Sequence, residues 1–86
     1  MKSFLGQNFR KLFSTLPNHV KILAKKNFKL WINNPKHPSL NFKLINKEKN
    51  IYSVRIGKGW RALGIREKDE IVWIWIGSHE DYNKLV

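Results

Sequence analysis

The sequence predicts an α+β fold, with two N-terminal helices on one face of an antiparallel four-stranded sheet and a short C-terminal helix or tail. Three observations carry this expectation. Apolar residues recur at helical spacing as far as Trp31, the period becomes two from Leu40 onward, and the breaks between the alternating segments are short enough for a meander.

The first helix is expected over Asn8 to Thr15, where Phe9, Leu12, Phe13 and Leu16 fall on one face. Pro17 suits the first turn of a second helix, because its missing N–H is not needed there. In that helix Val20, Leu23, Ala24, Asn27, Phe28 and Trp31 share a face, and Lys21, Lys25, Lys26 and Lys29 lie mostly outside it. Asn33-Asn34-Pro35 ends the helix, since the residue before a proline is pushed out of the α region. Candidate strands are Leu40 to Ile45, Ile51 to Ile56, Trp60 to Arg66 and Ile71 to Ile76, with turn-rich segments between them.

The pairing follows from the glycines. If Gly57-Lys58-Gly59 is a three-residue loop, Ile56 faces Trp60 and Arg55 stands opposite Arg61. A two-residue loop would separate the arginines. Carried across the sheet, this register gives a helix-covered face of Leu40, Phe42, Leu44, Tyr52, Val54, Ile56, Ala62, Gly64, Trp73 and Trp75. Small Ala62 and Gly64 leave room for the large rings. The other face collects Lys43, Ser53, Arg55 and Arg61 beside an apolar strip of Leu63, Ile65, Val72, Ile74 and Ile76. Either a partner covers that strip or a third helix from His79 to Leu85 folds back over it.

Composition narrows the function. Residues 1–86 are expected to form a single domain, and the chain carries 17 Lys and Arg against 6 Asp and Glu, a net charge of +11. Every acidic residue lies at or beyond Glu48, so the first half is a polycation. Such an excess asks for an anionic partner, and nucleic acid is favoured over membrane because the basic residues do not flank one wide free apolar helix face. The absence of cysteine excludes a disulfide framework, a thiolate metal site and a thiol nucleophile. No signal-peptide or membrane-spanning run is apparent, and a cytoplasmic protein is expected. His19 and His37 have no second ligand at metal spacing, and no phosphate-binding glycine motif occurs, so no metal or cofactor is expected.

Two opposed arginines repel each other, and a phosphate held by both forks would relieve the repulsion. His79 is the candidate for proton transfer, because imidazole is the side-chain type that exchanges protons near neutral pH. Glu80 is the second candidate base, and Tyr82 is read as a hydrophobic anchor that could also stack on a base or donate a proton. Trp60 could stack on a nucleobase, but the register points it to the core side.

The segments "HPSLNFKLI", "YSVRIGKGWRALG" and "IVWIWIGSHEDYNKL" resemble the second half of RelE/ParE-superfamily toxins of type II toxin–antitoxin systems, particularly HigB-like members, and "FRKLFSTLPNHVKILA" resembles their helical first half. The resemblance implies two helices against a curved antiparallel sheet. It implies a ribosome-dependent mRNA endonuclease held silent in an oligomer with a cognate antitoxin, with ribosome and mRNA as its other partners and no membrane. By that resemblance Arg55 matches the basic position entering the hairpin, Arg61 the arginine after the aromatic on the returning strand, and His79 a C-terminal basic or histidine position. Ser53 stands where ribosome-dependent RelE enzymes carry lysine, and Lys43 on the adjacent strand offers a substitute cation. Tyr82 lies earlier than the terminal tyrosine of some members. Lys21, Lys25, Lys26 and Lys29 would grip RNA. A gyrase inhibitor of the ParE type and a non-catalytic basic nucleic-acid-binding relative are the alternatives.

Overall fold

The computed structural model describes residues Met1–Val86. In chain order it contains β1 (Lys2–Leu5), α1 (Gln7–Ser14), α2 (Asn18–Asn33), a 3₁₀ turn (Pro38–Leu40), β2 (Lys43–Asn46), β3 (Ile51–Gly57), β4 (Trp60–Glu67), β5 (Glu70–Ser78) and α3 (His79–Leu85). The sheet order is β1-β5-β4-β3-β2. The last four strands form the expected antiparallel meander, but β1 adds a fifth strand parallel to β5, so the sheet is mixed. Leu40 belongs to the 3₁₀ turn instead of a strand, and Asn41 then takes a left-handed conformation (φ 44°) before β2 begins at Lys43.

Helix α1 packs on β5 and helix α2 on β3, and both contribute to one core on the same side of the sheet. Their buried residues are those of the helical stripes, Phe9 on α1 and Val20, Ala24 and Trp31 on α2. Trp31 organises the deepest layer: it meets Trp73 edge-on at 5.2 Å and Phe42 edge-on at 5.6 Å, and Phe42 stacks on Tyr52 at 4.9 Å. Such offset and edge-on pairs add to what burial alone contributes.

Three bulges interrupt the ladders: one in β2 leaves Ile45 unpaired near the sheet edge, and two more, in β3 and β5, change the expected register. In β3 the pairing runs Arg55↔Arg61 and then Gly57↔Trp60, which leaves Ile56 unpaired. The turn is therefore the two residues Lys58-Gly59, with Gly59 at φ 86°, and the bulge restores the residue that a shorter loop removes. In β5, Leu63↔Trp75 is followed by Gly64↔Trp73, which leaves Ile74 unpaired. Beyond this bulge the strand exchanges faces. Ile76 (1% exposed) enters the core opposite Ala62, and Trp75, expected in the core, joins the face without α1 and α2. Leu44, also expected in the core, is 42% exposed on the short edge strand.

In β3 and β5 the bulge leaves a backbone carbonyl that an asparagine from a helix meets. Asn27 donates from Nδ2 to the Ile56 carbonyl at 2.6 Å, and Asn8 donates from Nδ2 to the Ile74 carbonyl at 3.1 Å. This explains a polar residue on the inner face of α2. Asn27→Ala leaves the buried Ile56 carbonyl without a partner and is expected to destabilise the fold by about 2 kcal/mol, whereas Asn8→Ala, at an exposed site open to water, costs under about 1 kcal/mol. Chemical denaturation of the two variants checks the difference; equal losses would contradict this role for Asn27.

Candidate functional site

The uncovered face of the sheet is ordered in rows. Nearest the β3–β4 turn, Arg55 pairs with Arg61, and Arg61 pairs with Gly77. The next row runs Lys43, Ser53, Leu63, Trp75 across four strands. The last runs Ile51, Ile65, Val72, Phe4. One end of the face is thus cationic and the other apolar. Phe4 (49% exposed) and Val72 (38% exposed) leave the apolar end open.

Helix α3 settles the alternatives for the strip in part. It packs on β4 and β5 and buries Tyr82. Its start is tied to the arginine-bearing hairpin, because the His79 backbone N–H donates to the Gly59 carbonyl at 2.7 Å. Ser78 caps it by accepting from the Asp81 N–H at 3.1 Å, with Glu80 and Asp81 in the first turn where the helix dipole favours acids.

These contacts bring Arg61, Tyr82 and His79 together. The Arg61 guanidinium carbon lies 6.0 Å from the centre of the Tyr82 ring, and the His79 and Tyr82 rings stack at 6.0 Å with 21° between planes. Arg61 also donates to the Trp60 carbonyl at 3.2 Å. Its contacts are a carbonyl and a ring, not a carboxylate. Arg55, His79 and Glu80 are exposed, Arg61 is half-buried, and Ser53 is closed over at 2% exposure with exposed Lys43 paired beside it. Glu67, Asp69 and Glu70 sit at the opposite end of the strands, in and beside the β4–β5 turn. The field along the uncovered face is polarised toward the arginines.

The α2 lysines stand elsewhere. Lys25, Lys26 and Lys29 are exposed and Lys21 half-buried on the helix layer, across the sheet from Arg55 and Arg61. They form a second basic surface. A cavity of about 380 Å³ also lies on the helix side, between Phe9, Phe13, Ala24, Phe28 and Ala62, and is separated from the arginines by the sheet. Sequence reasoning missed Trp75 on the uncovered face. No local signal marks the bulge that turns it there; a Cβ at Gly77, two residues on and on the same face, would come within 2.5 Å of the Trp75 ring.

Residues 18–84 match the family model described as the ParE-like toxin domain, and the chain belongs to that family. It is a toxin-domain protein of the ParE-like kind. Its fold is similar to a chain of the RelB–RelE antitoxin–toxin complex of Methanococcus jannaschii (TM-score 0.74, 18% identity, covering 95% of this chain and 96% of that one). It is also similar to YafQ of Escherichia coli (0.73, 14%, 94% and 96%) and to a chain of the archaeal RelE–RelB complex of Pyrococcus horikoshii (0.70, 11%, 90% and 92%). Among curated proteins, none matches significantly in sequence.

Proposed function

We propose that this toxin, a HigB-like member by its motifs, is a cytoplasmic mRNA endonuclease that acts on the ribosome without a metal ion. The observation that supports this best is the direct pairing of Arg55 with Arg61 beside the His79–Tyr82 stack. Two guanidinium groups on adjacent strands can hold one phosphate by its non-bridging oxygens and stabilise the charge that develops there. A ribose 2′-oxygen then attacks the adjacent phosphorus, the P–O5′ bond breaks, and the products are a 2′,3′-cyclic phosphate and a 5′-hydroxyl. One proton must leave the 2′-hydroxyl and one must reach the 5′-oxygen. His79 is assigned to take the 2′-hydroxyl proton, with exposed Glu80 as the runner-up base, and solvent water supplies the proton that the departing 5′-oxygen takes up. Tyr82 positions Arg61 and His79 between which it is packed. Lys43 supplies the cation that Ser53 lacks, and Lys21, Lys25, Lys26 and Lys29 on the other side grip ribosomal RNA.

A cognate antitoxin is the proposed silencing partner, in an oligomer with the toxin. Phe4, Val72, Ile65 and Ile51 offer it an apolar surface beside a strongly basic chain. Growth arrest on expression without a partner tests the assignment of the base. His79→Ala is expected to abolish arrest and Glu80→Gln to retain it; the reverse order would move the base to Glu80. The second reading, inhibition of DNA gyrase, is favoured by the ParE-like description of the matched family. Trapped gyrase-cleaved DNA with unaltered translation would select it.

A further inference from the structure

Trp75 is a large aromatic that the core does not use. The chain's other three tryptophans all pack in or against the core, Trp31 and Trp73 as a buried pair and Trp60 at its margin. Trp75 stands outside that cluster because the bulge at Ile74 turns it to the uncovered face, where it is half-buried. Its ring reaches across Gly77, the residue paired with Arg61. The indole therefore lies one strand from Arg61 and two from Arg55, along the row that holds the cations. Strands are spaced about 4.8 Å apart, a step that one ribose can bridge between a phosphate and its base.

Resting on the RNA reading above, we propose that Trp75 is a stacking platform for a nucleobase next to the phosphate held by Arg55 and Arg61, and that Gly77 is the clearance that lets the indole occupy this position. An indole face accepts any base and favours the larger purine surface, so the site would take single-stranded RNA with a purine preference at one position. Arg61 then fixes the backbone, and Trp75 fixes which nucleotide lies in reach. Any side chain at position 77 would displace the ring, as the 2.5 Å approach to its Cζ2 atom requires.

Stacking and phosphate contacts differ in their response to salt, which separates the two claims. Binding of a labelled single-stranded oligonucleotide with 2′-O-methyl riboses, which has no nucleophile, is measured over a series of salt concentrations. Trp75→Leu is expected to weaken binding roughly tenfold at every salt concentration, a parallel displacement, whereas Arg61→Met lowers the salt slope by about 1. Trp75→Phe keeps most of the affinity, and Gly77→Ala weakens binding although the indole is still present. Removing the base at the stacked position costs the wild type the same factor and costs Trp75→Leu nothing. Coincident lines for Trp75→Leu and the wild type overturn the platform while leaving the arginine reading intact. An unchanged slope in Arg61→Met overturns the phosphate reading, and the platform fails with it.

Discussion

Arg61→Met is expected to slow the proposed RNA cleavage by about 100-fold, the scale of removing one preorganised donor from a developing charge, without lowering the stability of the fold. The two halves of this expectation come from the same contact. Arg55 and Arg61 are directly paired across β3 and β4, and like charges in that position weaken a sheet by a few tenths of a kcal/mol. Methionine keeps an unbranched stem against Tyr82 and removes the repulsion, so packing survives while the phosphate grip is lost. Lysine at this position restores charge without the planar fork and should fall between the two. Single-turnover cleavage and thermal melting of the same preparations provide the comparison. A melting loss in Arg61→Met comparable with its activity loss would mean that Arg61 is structural.

The largest expected stability effect lies on the other face of β4. Gly64→Val would place a Cβ 2.8 Å from two Ile71 side-chain atoms and 2.9 Å from the Trp73 ring. Neither neighbour can yield, since Ile71 is 0% exposed and Trp73 is held edge-on by Trp31. Overpacking of this kind costs about 3 kcal/mol, which lowers Tm by roughly 15 °C in a domain of this size. Gly59→Val is the control. Its Cβ meets no atom within 4 Å, so the cost there is only the strain of a positive φ. A Gly64→Val melting point no lower than that of Gly59→Val would show that the space beneath β4 is looser than its contacts imply.

Much of this architecture is legible in the residues. The apolar stripes place both helices, and the alternation after the proline-rich break places β3, β4 and β5 to within two residues. Arg55 and Arg61 are paired as the glycine loop predicts, though by a different route, since a two-residue turn plus a bulge spans the same number of residues as a three-residue loop. What escapes is whatever resets a period. A bulge inserts one residue and exchanges every later side chain between faces, so Trp75 and Ile76 trade places with no change in composition. Its trace lies far away in sequence, in Asn8 and Asn27, whose amides meet the freed carbonyls. Strand β1 is equally obscure, because four residues pairing in parallel with a segment near the other end of the chain leave no local turn to mark them. Of the site, the hairpin could be located from sequence, but the approach of α3 that brings His79 and Tyr82 to Arg61 depends on tertiary contacts.

Whether the cationic row of the uncovered face cuts RNA is decided by mapping 5′ ends on a message being translated by purified ribosomes in the presence of the toxin. New ends carrying a 5′-hydroxyl and opposite fragments ending in a 2′,3′-cyclic phosphate are expected, forming about 100-fold more slowly with Arg61→Met and not at all with His79→Ala. An unchanged message, or ends that form at the wild-type rate in the Arg61 variant, would show that this face does not cut RNA.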